Sequence, residues 1–485
     1  MHSVVNKKIE IMKIKNLLFV FTVLFVFVTC TSDRDARKIQ PRQDDKRPNI
    51  VIIYCDDLGY GDLGCFGAND IKTPNIDRMA SEGIKFTEFY SASPVCSPSR
   101  AALLTGRIPQ RMGINNVFFP ESYTGMPLEE ITIAQVLKDE EYATGIIGKW
   151  HLGHMEKFLP LQRGFDEYFG IPYSNDMESV VYLRGNEVVD YHVDQRYITK
   201  TYTGEALTFI ENHKDEPFFL YIAHNMPHVP IYASEDFLGT SERGLYGDVI
   251  QEIDWNVGQV IKKLEEHNLL QNTLIIFSSD NGPWLVMEDH GGSAGYLREG
   301  KQFTFEGGQR IPTLAMWPSR IPPGQTYDDM AVMMDWFPTI ANIAEAEIPD
   351  DRPYDGVDIS RVLFGEGRRE WTGFLYFDLA ELQCYREGEW KVKLPYEGYS
   401  GSRLKKAVPP HPMLLVNLKS DPGEKNNLAE QMPEKLQDML NKMDSVKNAL
   451  GKLPPSLVVG TNSDNSHLEY LNMKHGGRNY WHKKW

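Results

Sequence analysis

Two side chains with complementary chemistry lie one helical turn apart near residue 100. Cys96 and Arg100 are four positions apart, Pro98 between them suits the first turn of a helix, and Gly106 suits its end. The N-terminus of such a helix and the guanidinium group both favour negative charge. The spacing therefore predicts a helix that begins at Cys96 and presents a thiol and a cation to an anionic group.

Two polar pairs supply the oxygen atoms that a hard divalent cation prefers. Asp56 and Asp57 follow an apolar run at residues 50–54, and Asp280 and Asn281 follow another at residues 274–278. A lone Asp-Asp pair after a strand is more often a turn or a helix cap. If the two strand ends meet, however, their carboxylate and amide oxygens form a candidate ligand set for a metal ion.

The elements that must position these residues alternate along the chain. A helix is predicted from Pro74, capped by Thr73 and closed by Gly83, and a second by the spacing of apolar residues from Ile250 to Leu264. Apolar runs typical of buried strands occur at residues 50–54, 84–90, 143–147, 218–223, 274–278 and 313–317. This alternation predicts an α/β domain with a mostly parallel central sheet flanked by helices.

Polar clusters follow four of the predicted strands. In such sheets, ligands bind at the carboxyl ends of the strands, so these clusters are expected to share one edge. A lysine and a histidine at the spacing of Lys149 and His151, taken alone, are more often exposed surface residues without a catalytic role. The clusters are Asp56-Asp57, residues 148–151, residues 224–228 and Asp280-Asn281.

The pattern changes after about residue 370. Short alternating runs at residues 373–377, 382–386 and 390–394 predict an antiparallel sheet, and residues 433–450 predict a helix packed on it. We therefore expect a catalytic domain over residues 48–370 and a smaller α+β subdomain with a C-terminal tail over residues 371–485.

Several of these segments together resemble the signatures of type I sulfatases, a family with the alkaline-phosphatase-like fold. The C-x-P-x-R pattern at Cys96 is followed by Ala101-Ala102-Leu103-Leu104-Thr105-Gly106-Arg107, and the resemblance continues in the same order from about residue 48 to residue 430. Its other segments are residues 55–64, 148–153, 227–230, 279–282, 300–301, 306–312, 415–424 and 427–429.

The resemblance implies a catalytic aldehyde and a metal ion. In this family a maturation enzyme oxidises the motif cysteine to Cα-formylglycine (3-oxoalanine), which implies that modification at Cys96. The implied ligands of one Ca²⁺ are Asp56, Asp57, Cys96, Asp280 and Asn281. The implied catalytic residues are Cys96, Arg100, Lys149, His151, His228 and Lys301. Neither His224 nor Arg310 is assigned a catalytic role.

The family chemistry implies a role for each of these groups. One hydroxyl of the hydrated aldehyde would attack the ester sulfur, with Ca²⁺, Arg100, Lys149 and Lys301 offsetting negative charge. His228 or Lys301 would protonate the leaving alcohol, and His151 would take a proton from the second hydroxyl so that sulfate leaves and the aldehyde re-forms.

The resemblance implies a hydrolase of carbohydrate sulfate esters. Ulvan, carrageenan, glycosaminoglycans and mucin glycans are all candidate substrates, and residues 175–196 are a candidate sugar subsite. The nearest alternative is a phosphatase or phosphonate-ester hydrolase of the same superfamily. An alternative of another class is a surface glycan-binding protein with an inactive sulfatase-like fold.

The N-terminus predicts export. Lysines precede an apolar run at residues 17–28 that is too short for a comfortable membrane span, and Cys30 follows directly, as in bacterial lipoprotein signals. We expect a signal peptide over residues 1–30, followed by a polar tether over residues 31–47. Lipidation at Cys30 is favoured over simple cleavage, and the expected location is the periplasm, outer membrane or cell surface of a bacterium. Membrane attachment would be through the lipid only.

Charge and cysteine content narrow the possible partners and scaffolds. The net charge of −16 argues against nucleic acid as a partner. An anionic substrate remains compatible with this charge if cations concentrate in one cleft. Besides Cys30 and Cys96, only Cys55, Cys65 and Cys384 remain, so a disulfide-built scaffold is not expected.

Overall fold

A large mixed sheet forms the centre of the protein. The computed structural model describes residues 47–120, 122–177, 180–370, 373–397 and 410–458. The predicted signal peptide with Cys30, and most of the predicted tether and tail, lie outside these residues. The strands of the 11-stranded sheet are β1 (Asn49–Cys55), β2 (Ile84–Tyr90), β3 (Ala143–Gly148), β4 (Glu167–Gly170), β5 (Tyr182–Arg184), β6 (Glu187–Asp190), β7 (Phe218–Ala223), β8 (Thr273–Ser279), β9 (Arg310–Met316), β10 (Gln325–Tyr327) and β11 (Ala331–Val332).

The middle of this sheet is parallel, as predicted, and its register aligns the strand ends. The order is β10-β2-β9-β8-β1-β7-β3-β4-β5-β6, and β11 also pairs with β2. Strand β1 lies between β7 and β8, where Tyr54 is paired with Ala223 and with Ser278. Gly148 of β3 is paired with the same Ala223. The residues that follow β1, β3, β7 and β8 therefore emerge at one edge.

Strand β1 is buried on both faces, which explains its continuous apolar sequence. Ile50, Ile52 and Tyr54 pack into one hydrophobic cluster, and the alternate residues Val51 and Ile53 pack into another on the opposite face. The sheet thus lies between two apolar layers.

Helices cover the two faces. They are α1 (Pro74–Glu82), α2 (Cys96–Thr105), α3 (Ile133–Asp139), α4 (Ile198–Asn212), α5 (Leu245–Glu266), α6 (Glu306–Gln309), α7 (Trp336–Ile343), α8 (Ser360–Leu363) and α9 (Pro433–Ala449). Short 3₁₀ turns are Gly64–Phe66, Pro109–Met112, Glu156–Phe158, Pro160–Arg163, Gln195–Tyr197, Leu270–Asn272, Leu285–His290 and Met333–Asp335. Among the described helices, none is long and apolar enough to span a membrane.

Two local predictions need correction. Strand β9 begins at Arg310, three residues before the predicted start, and runs antiparallel to both of its neighbours. Thr73 precedes α1, but its hydroxyl donates to the Asp77 carboxylate instead of accepting a hydrogen bond from the helix backbone. Gly83 does close α1, and a Cβ there would lie 2.1 Å from the Ala315 carbonyl oxygen.

A second, antiparallel sheet follows, with four strands where three were predicted. Its order is β12 (Phe374–Asp378), β13 (Glu381–Glu387), β14 (Trp390–Lys393) and β15 (Leu414–Asn417). Apolar residues of α9 pack against this sheet, and Met439 and Met443 are buried in the shared core. The four cysteines among the described residues, Cys55, Cys65, Cys96 and Cys384, are all free thiols.

Candidate active site

The ends of β1 and β8 bring the predicted metal ligands together. Ligand atoms of Asp56, Asp57, Cys96 and Asp280 all lie within 4.8 Å of one another, and all four residues are buried. Asp57 has a φ of 64°, a left-handed conformation that is uncommon outside glycine and that follows directly on the strand. Such strain is often found at functional sites, where the surrounding structure enforces it.

The fifth predicted ligand, Asn281, completes this cluster. Its Nδ2 donates to Asp57 Oδ1 at 2.7 Å and to the Gly282 carbonyl oxygen at 2.9 Å. Its buried Oδ1 accepts no hydrogen bond from any residue that the structure describes. Because burying an unsatisfied oxygen is costly, the free Oδ1 and three carboxylates form a donor set that fits a hard cation such as Ca²⁺.

Helix α2 presents Cys96 and Arg100 to this cluster, as the spacing predicted. Cys96 is the first helical residue, all ten residues of the helix are buried, and Gly106 ends it with a left-handed φ of 68°. The Cys96 thiol donates to Asp56 Oδ1 at 3.2 Å. Arg100 holds Asp280 Oδ2 through Nε at 3.0 Å and Nη2 at 2.9 Å, so the guanidinium braces the acidic cluster from the protein interior.

Lys149 lies on the opposite side of Asp56 and is linked to a residue that the sequence analysis missed. Its ammonium group contacts Asp56 and donates to Ser174 Oγ at 3.1 Å. Ser174 Oγ lies 3.5 Å from His228 Nδ1. Ser174 lies shortly after the end of β4, a position that could have marked it as a site residue. Strand β4 has only four residues, however, and is too short to be recognised by its apolar pattern.

The hydrogen bonds of His151 define which ring nitrogen can accept a proton. Its Nε2 lies 2.9 Å from the Phe118 carbonyl oxygen, which can only accept, so Nε2 carries the hydrogen of the neutral ring. The buried Nδ1 contacts no hydrogen-bond partner among the described residues and is left as the proton acceptor. Burial, with a contribution from Lys149, holds the pKa of His151 well below its usual value, so the ring is neutral near pH 7.

His228 and Lys301 are both buried and both approach Asp57 Oδ2. Lys301 Nζ donates to Asp57 Oδ2 at 2.8 Å and to Cys96 Sγ at 3.6 Å. His228 Nε2 lies 3.6 Å from the same Asp57 oxygen. Trp284 contacts both side chains: its ring centroid is 4.5 Å from Lys301 Nζ and 5.5 Å from the centroid of the His228 ring.

Opposing charges set the protonation of this buried site. Burial would raise the pKa of Asp56, but Lys149 and His228 outweigh it and hold that pKa well below normal. Burial and the neighbouring Asp56 raise the pKa of Asp280 to about 7. Burial, with Asp280, also raises the pKa of Cys96, so the unmodified thiol stays protonated and is a weak nucleophile.

Three further residues do not join the metal cluster. Asp176 lies two residues after Ser174 and is exposed as a whole residue, but its carboxyl group is partly shielded from water. This desolvation would raise the pKa of Asp176, but His228 and Lys149 outweigh it and lower that pKa. His224 instead turns toward helix α5, where its Nε2 lies 3.0 Å from Asn256 Oδ1. Arg310 donates to the Thr87 carbonyl oxygen at 2.7 Å, as expected of a residue that braces the sheet.

The structure thus gathers all ten residues predicted for catalysis or metal binding at one strand edge. This arrangement of a mostly parallel sheet, a buried acidic cluster and a helix-borne candidate nucleophile defines the class of alkaline-phosphatase-like hydrolases.

Comparison with known proteins identifies the family within that class. The Sulfatase family model matches residues 48–346, and the model for the C-terminal region of N-sulphoglucosamine sulphohydrolase matches residues 294–449. The chain belongs to the sulfatase family and is a sulfuric ester hydrolase.

Individual relatives are similar over most of their length. N-acetylgalactosamine-6-sulfatase of Canis lupus familiaris is 42% identical over 372 residues, covering 71% of each chain. Arylsulfatase A of Homo sapiens is 38% identical over 442 residues, covering 80% of this chain and 86% of that protein. A crystal structure of Ps i-CgsB in complex with k-i-k-neocarrahexaose is 28% identical with a TM-score of 0.76, covering 88% of this chain and 98% of that one.

Proposed function

We propose that this protein hydrolyses sulfate esters of carbohydrates, using a formylglycine made from Cys96 by a maturation enzyme and one bound Ca²⁺. The observation that carries the proposal is the position of Cys96, whose sulfur lies 3.2 Å from Asp56 Oδ1 and 3.6 Å from Lys301 Nζ. A nucleophile at this point faces the metal ligands on one side and a cation on the other.

The proposed Ca²⁺ ligands are Asp56, Asp57, Asp280, Asn281 and the modified Cys96. When bound, Ca²⁺ would supply positive charge that favours ionisation of the nucleophile and offsets charge on the sulfuryl oxygens. Arg100 holds Asp280 in place, while Lys149 and Lys301 remain available to contact the sulfate group. Burial would lower the pKa of Lys301, but Asp57 outweighs it and raises that pKa, so Lys301 stays charged.

The two histidines suit opposite proton transfers. His151 is neutral with a free Nδ1, as required of a base that takes a proton from the second hydroxyl of the hydrated formylglycine. After loss of that proton, the remaining oxygen would form the C=O bond of the aldehyde while the bond between the same carbon and the sulfate oxygen breaks, which would release sulfate. His228 donates through Nδ1 to the Val229 carbonyl oxygen at 2.6 Å, which leaves Nε2 to carry a proton to the leaving alcohol. Burial and Lys301 lower the pKa of His228, which makes its protonated form a stronger acid.

A carbohydrate substrate is supported by the relatives and by the rim of the site. One relative is an N-acetylgalactosamine-6-sulfatase, and a structural neighbour was crystallised with a neocarrahexaose. Asp176 is an exposed residue near these cations, and its carboxylate would accept hydrogen bonds from sugar hydroxyls beside the sulfate. Asn175 contacts Gln195 at 3.2 Å, which joins the two ends of the proposed subsite at residues 175–196.

Sulfate and phosphate release from defined sulfated saccharides and phosphoesters tests this function. The protein should first be shown by peptide mass to carry formylglycine at Cys96. We expect sulfate release from at least one saccharide, abolished in His151→Asn and retained in His224→Asn, a matched change of a buried histidine outside the cluster. Phosphate release exceeding sulfate release would favour the phosphatase alternative, and glycan binding without release would favour the inactive binding protein.

The proposed location is the periplasm or cell surface of a bacterium, through a lipid on Cys30. This part of the proposal rests on the sequence of residues 1–30 alone. Labelling with a fatty-acid precursor in a bacterial host tests it: we expect label on the wild-type protein and none on Cys30→Ser. Label absent from both proteins would contradict lipidation.

A further inference from the structure

The segment that carries Lys301 has a strained backbone. Glu299 and Gln302, on either side of Lys301, have φ values of 59° and 74°. Both lie in the left-handed region, which costs free energy for residues other than glycine and persists only where the surroundings enforce it. The position of the Lys301 ammonium group therefore depends on what holds residues 298–309.

On one side, this segment is tied to the loops of the catalytic cluster. The backbone N–H of Lys301 donates to the Pro283 carbonyl oxygen at 2.8 Å, and that of Gln302 donates to the Pro94 carbonyl oxygen at 2.9 Å. Pro283 is two residues from Asn281, and Pro94 is two residues from Cys96. The segment also closes on itself, since the Gly307 N–H donates to the Arg298 carbonyl oxygen at 2.8 Å.

On the other side, it is held by charged residues of the C-terminal sheet region. Lys391 of β14 lies 3.0 Å from Glu306 Oε1 and 2.9 Å from Glu424 Oε1. Glu424 Oε2 accepts the backbone N–H of Glu306 at 2.6 Å, and the Glu424 carbonyl oxygen accepts Arg298 Nη1 at 3.0 Å. The side chains of Lys391, Glu306 and Glu424 are at most 2% exposed.

The C-terminal sheet also holds the middle of the segment, at Thr304. Lys393, also on β14, donates to Thr304 Oγ1, and the Cys384 thiol on β13 donates to the Thr304 carbonyl oxygen at 3.5 Å. Arg298, Thr304 and Glu306 are thus all fixed by residues of the C-terminal region, and Lys301 lies between these points.

We propose that Lys391 is a positioning residue for Lys301 and that the C-terminal sheet thereby sets the geometry of the sulfate site. Two buried carboxylates meet at Glu306 and Glu424, and Lys391 is an ion-pair partner of both, whereas Arg310 Nη1 lies 3.7 Å from Glu306 Oε2. Without Lys391, repulsion between the two carboxylates separates the loop that carries Glu424 from the segment, and the strain at Glu299 and Gln302 relaxes by moving Lys301. The proposal rests on the proposed function of Lys301 in sulfate ester hydrolysis.

Steady-state kinetics of Lys391→Met test this role. We expect kcat to fall by about 100-fold, the effect of a misplacement of about 1 Å, while KM changes much less. The matched control is Lys442→Met, which removes the partly exposed pair between α9 and Glu387 of the same region. Its kcat should equal that of the wild type. Formylglycine content and thermal unfolding of each variant show that the compared proteins are matured and folded.

A double-mutant cycle separates positioning from a general structural defect. If Lys391 acts through Lys301, then Lys391→Met should cost little further kcat in a Lys301→Met background. An equal fractional loss in both backgrounds, or wild-type kcat in folded Lys391→Met, would overturn the proposal. If Lys391→Met does not fold, Lys391→Gln replaces it in the cycle with the same expectations, because it keeps a hydrogen-bond donor beside Glu306 and Glu424 but removes the positive charge.

The same cycle distinguishes failure of the proposed function. Wild-type kcat in Lys301→Met would remove Lys301 from the proposed sulfate-ester mechanism and would overturn the positioning role with it. Loss of activity in Lys301→Met together with wild-type kcat in folded Lys391→Met would overturn only the positioning role.

Discussion

Replacing Asn281 by aspartate tests the metal site with a nearly isosteric change. In the wild type, Asn281 Nδ2 donates to Asp57 Oδ1 at 2.7 Å and to the Gly282 carbonyl oxygen at 2.9 Å. In Asn281→Asp, an oxygen replaces this donor, so two buried acceptors each lose a partner. A buried unsatisfied group costs about 1–3 kcal/mol, so the metal-free variant should lose roughly 2–6 kcal/mol of unfolding free energy.

Calcium should reverse much of this loss. The new carboxylate adds a charged ligand where the wild type offers the neutral Asn281 Oδ1, and bound Ca²⁺ offsets the repulsion with Asp57. We expect the increase in unfolding free energy between chelator and saturating Ca²⁺ to be larger in Asn281→Asp than in the wild type. Chemical denaturation with each protein in chelator and in Ca²⁺ measures both differences.

Asn256→Asp is the matched control. Asn256 is also buried and donates through Nδ2 to Thr203 Oγ1 at 2.7 Å, but it lies on helix α5 outside the acidic cluster. The loss of unfolding free energy in Asn256→Asp should be the same with and without Ca²⁺. A calcium effect in Asn281→Asp no larger than that in the wild type, or matched by that in Asn256→Asp, would refute the assignment of Asn281 as a ligand.

Three further substitutions probe the surroundings of the site. Ser174→Ala removes the hydroxyl that contacts both Lys149 and His228. We expect kcat to fall about tenfold, the equivalent of about 1.4 kcal/mol, with little change in KM. An unchanged kcat would contradict this role of Ser174. Asp176→Asn removes a negative charge near Lys149 and Lys301, so free sulfate should inhibit roughly fivefold more tightly in competition assays. Equal or weaker inhibition would contradict the placement of Asp176 at the rim of the site. Burial lowers the pKa of His224 to about 4, so between pH 6.5 and 4 the unfolded chain binds a proton that the folded protein excludes. Stability should fall by about 3 kcal/mol as the pH drops through that window, and His224→Asn should remove this part of the decline in denaturation curves; an unchanged pH dependence would contradict it.

The sequence was sufficient to predict the central strands because a strand buried on both faces has a continuous apolar sequence. The apolar run of β1 requires two covered faces, and the polar residues after it then lie at a strand end. The register that joins Tyr54 to Ala223 and Ser278 follows from the sheet, so residues far apart in sequence could be expected to meet.

Other features depend on tertiary contacts that leave no local pattern. Ser174 follows the short strand β4, and Trp284 approaches Lys301 and His228 only through folding of its loop. The ion pairs of Lys391 join residues up to 85 positions apart, and their charged side chains would be expected at the surface from sequence alone. The antiparallel direction of β9 likewise depends on the path of the chain between β8 and β9.

The central claim is that a modified Cys96 is the nucleophile of sulfate ester hydrolysis. The most direct test uses preparations that differ in the fraction of Cys96 converted to formylglycine, measured by peptide mass. Sulfate release per enzyme molecule is then compared with that fraction. The control is Cys96→Ser, made in a host that does not oxidise serine. We expect turnover to be proportional to conversion and Cys96→Ser to show no multiple turnover. Sustained sulfate release by Cys96→Ser, or by protein whose Cys96 is unmodified, would contradict it.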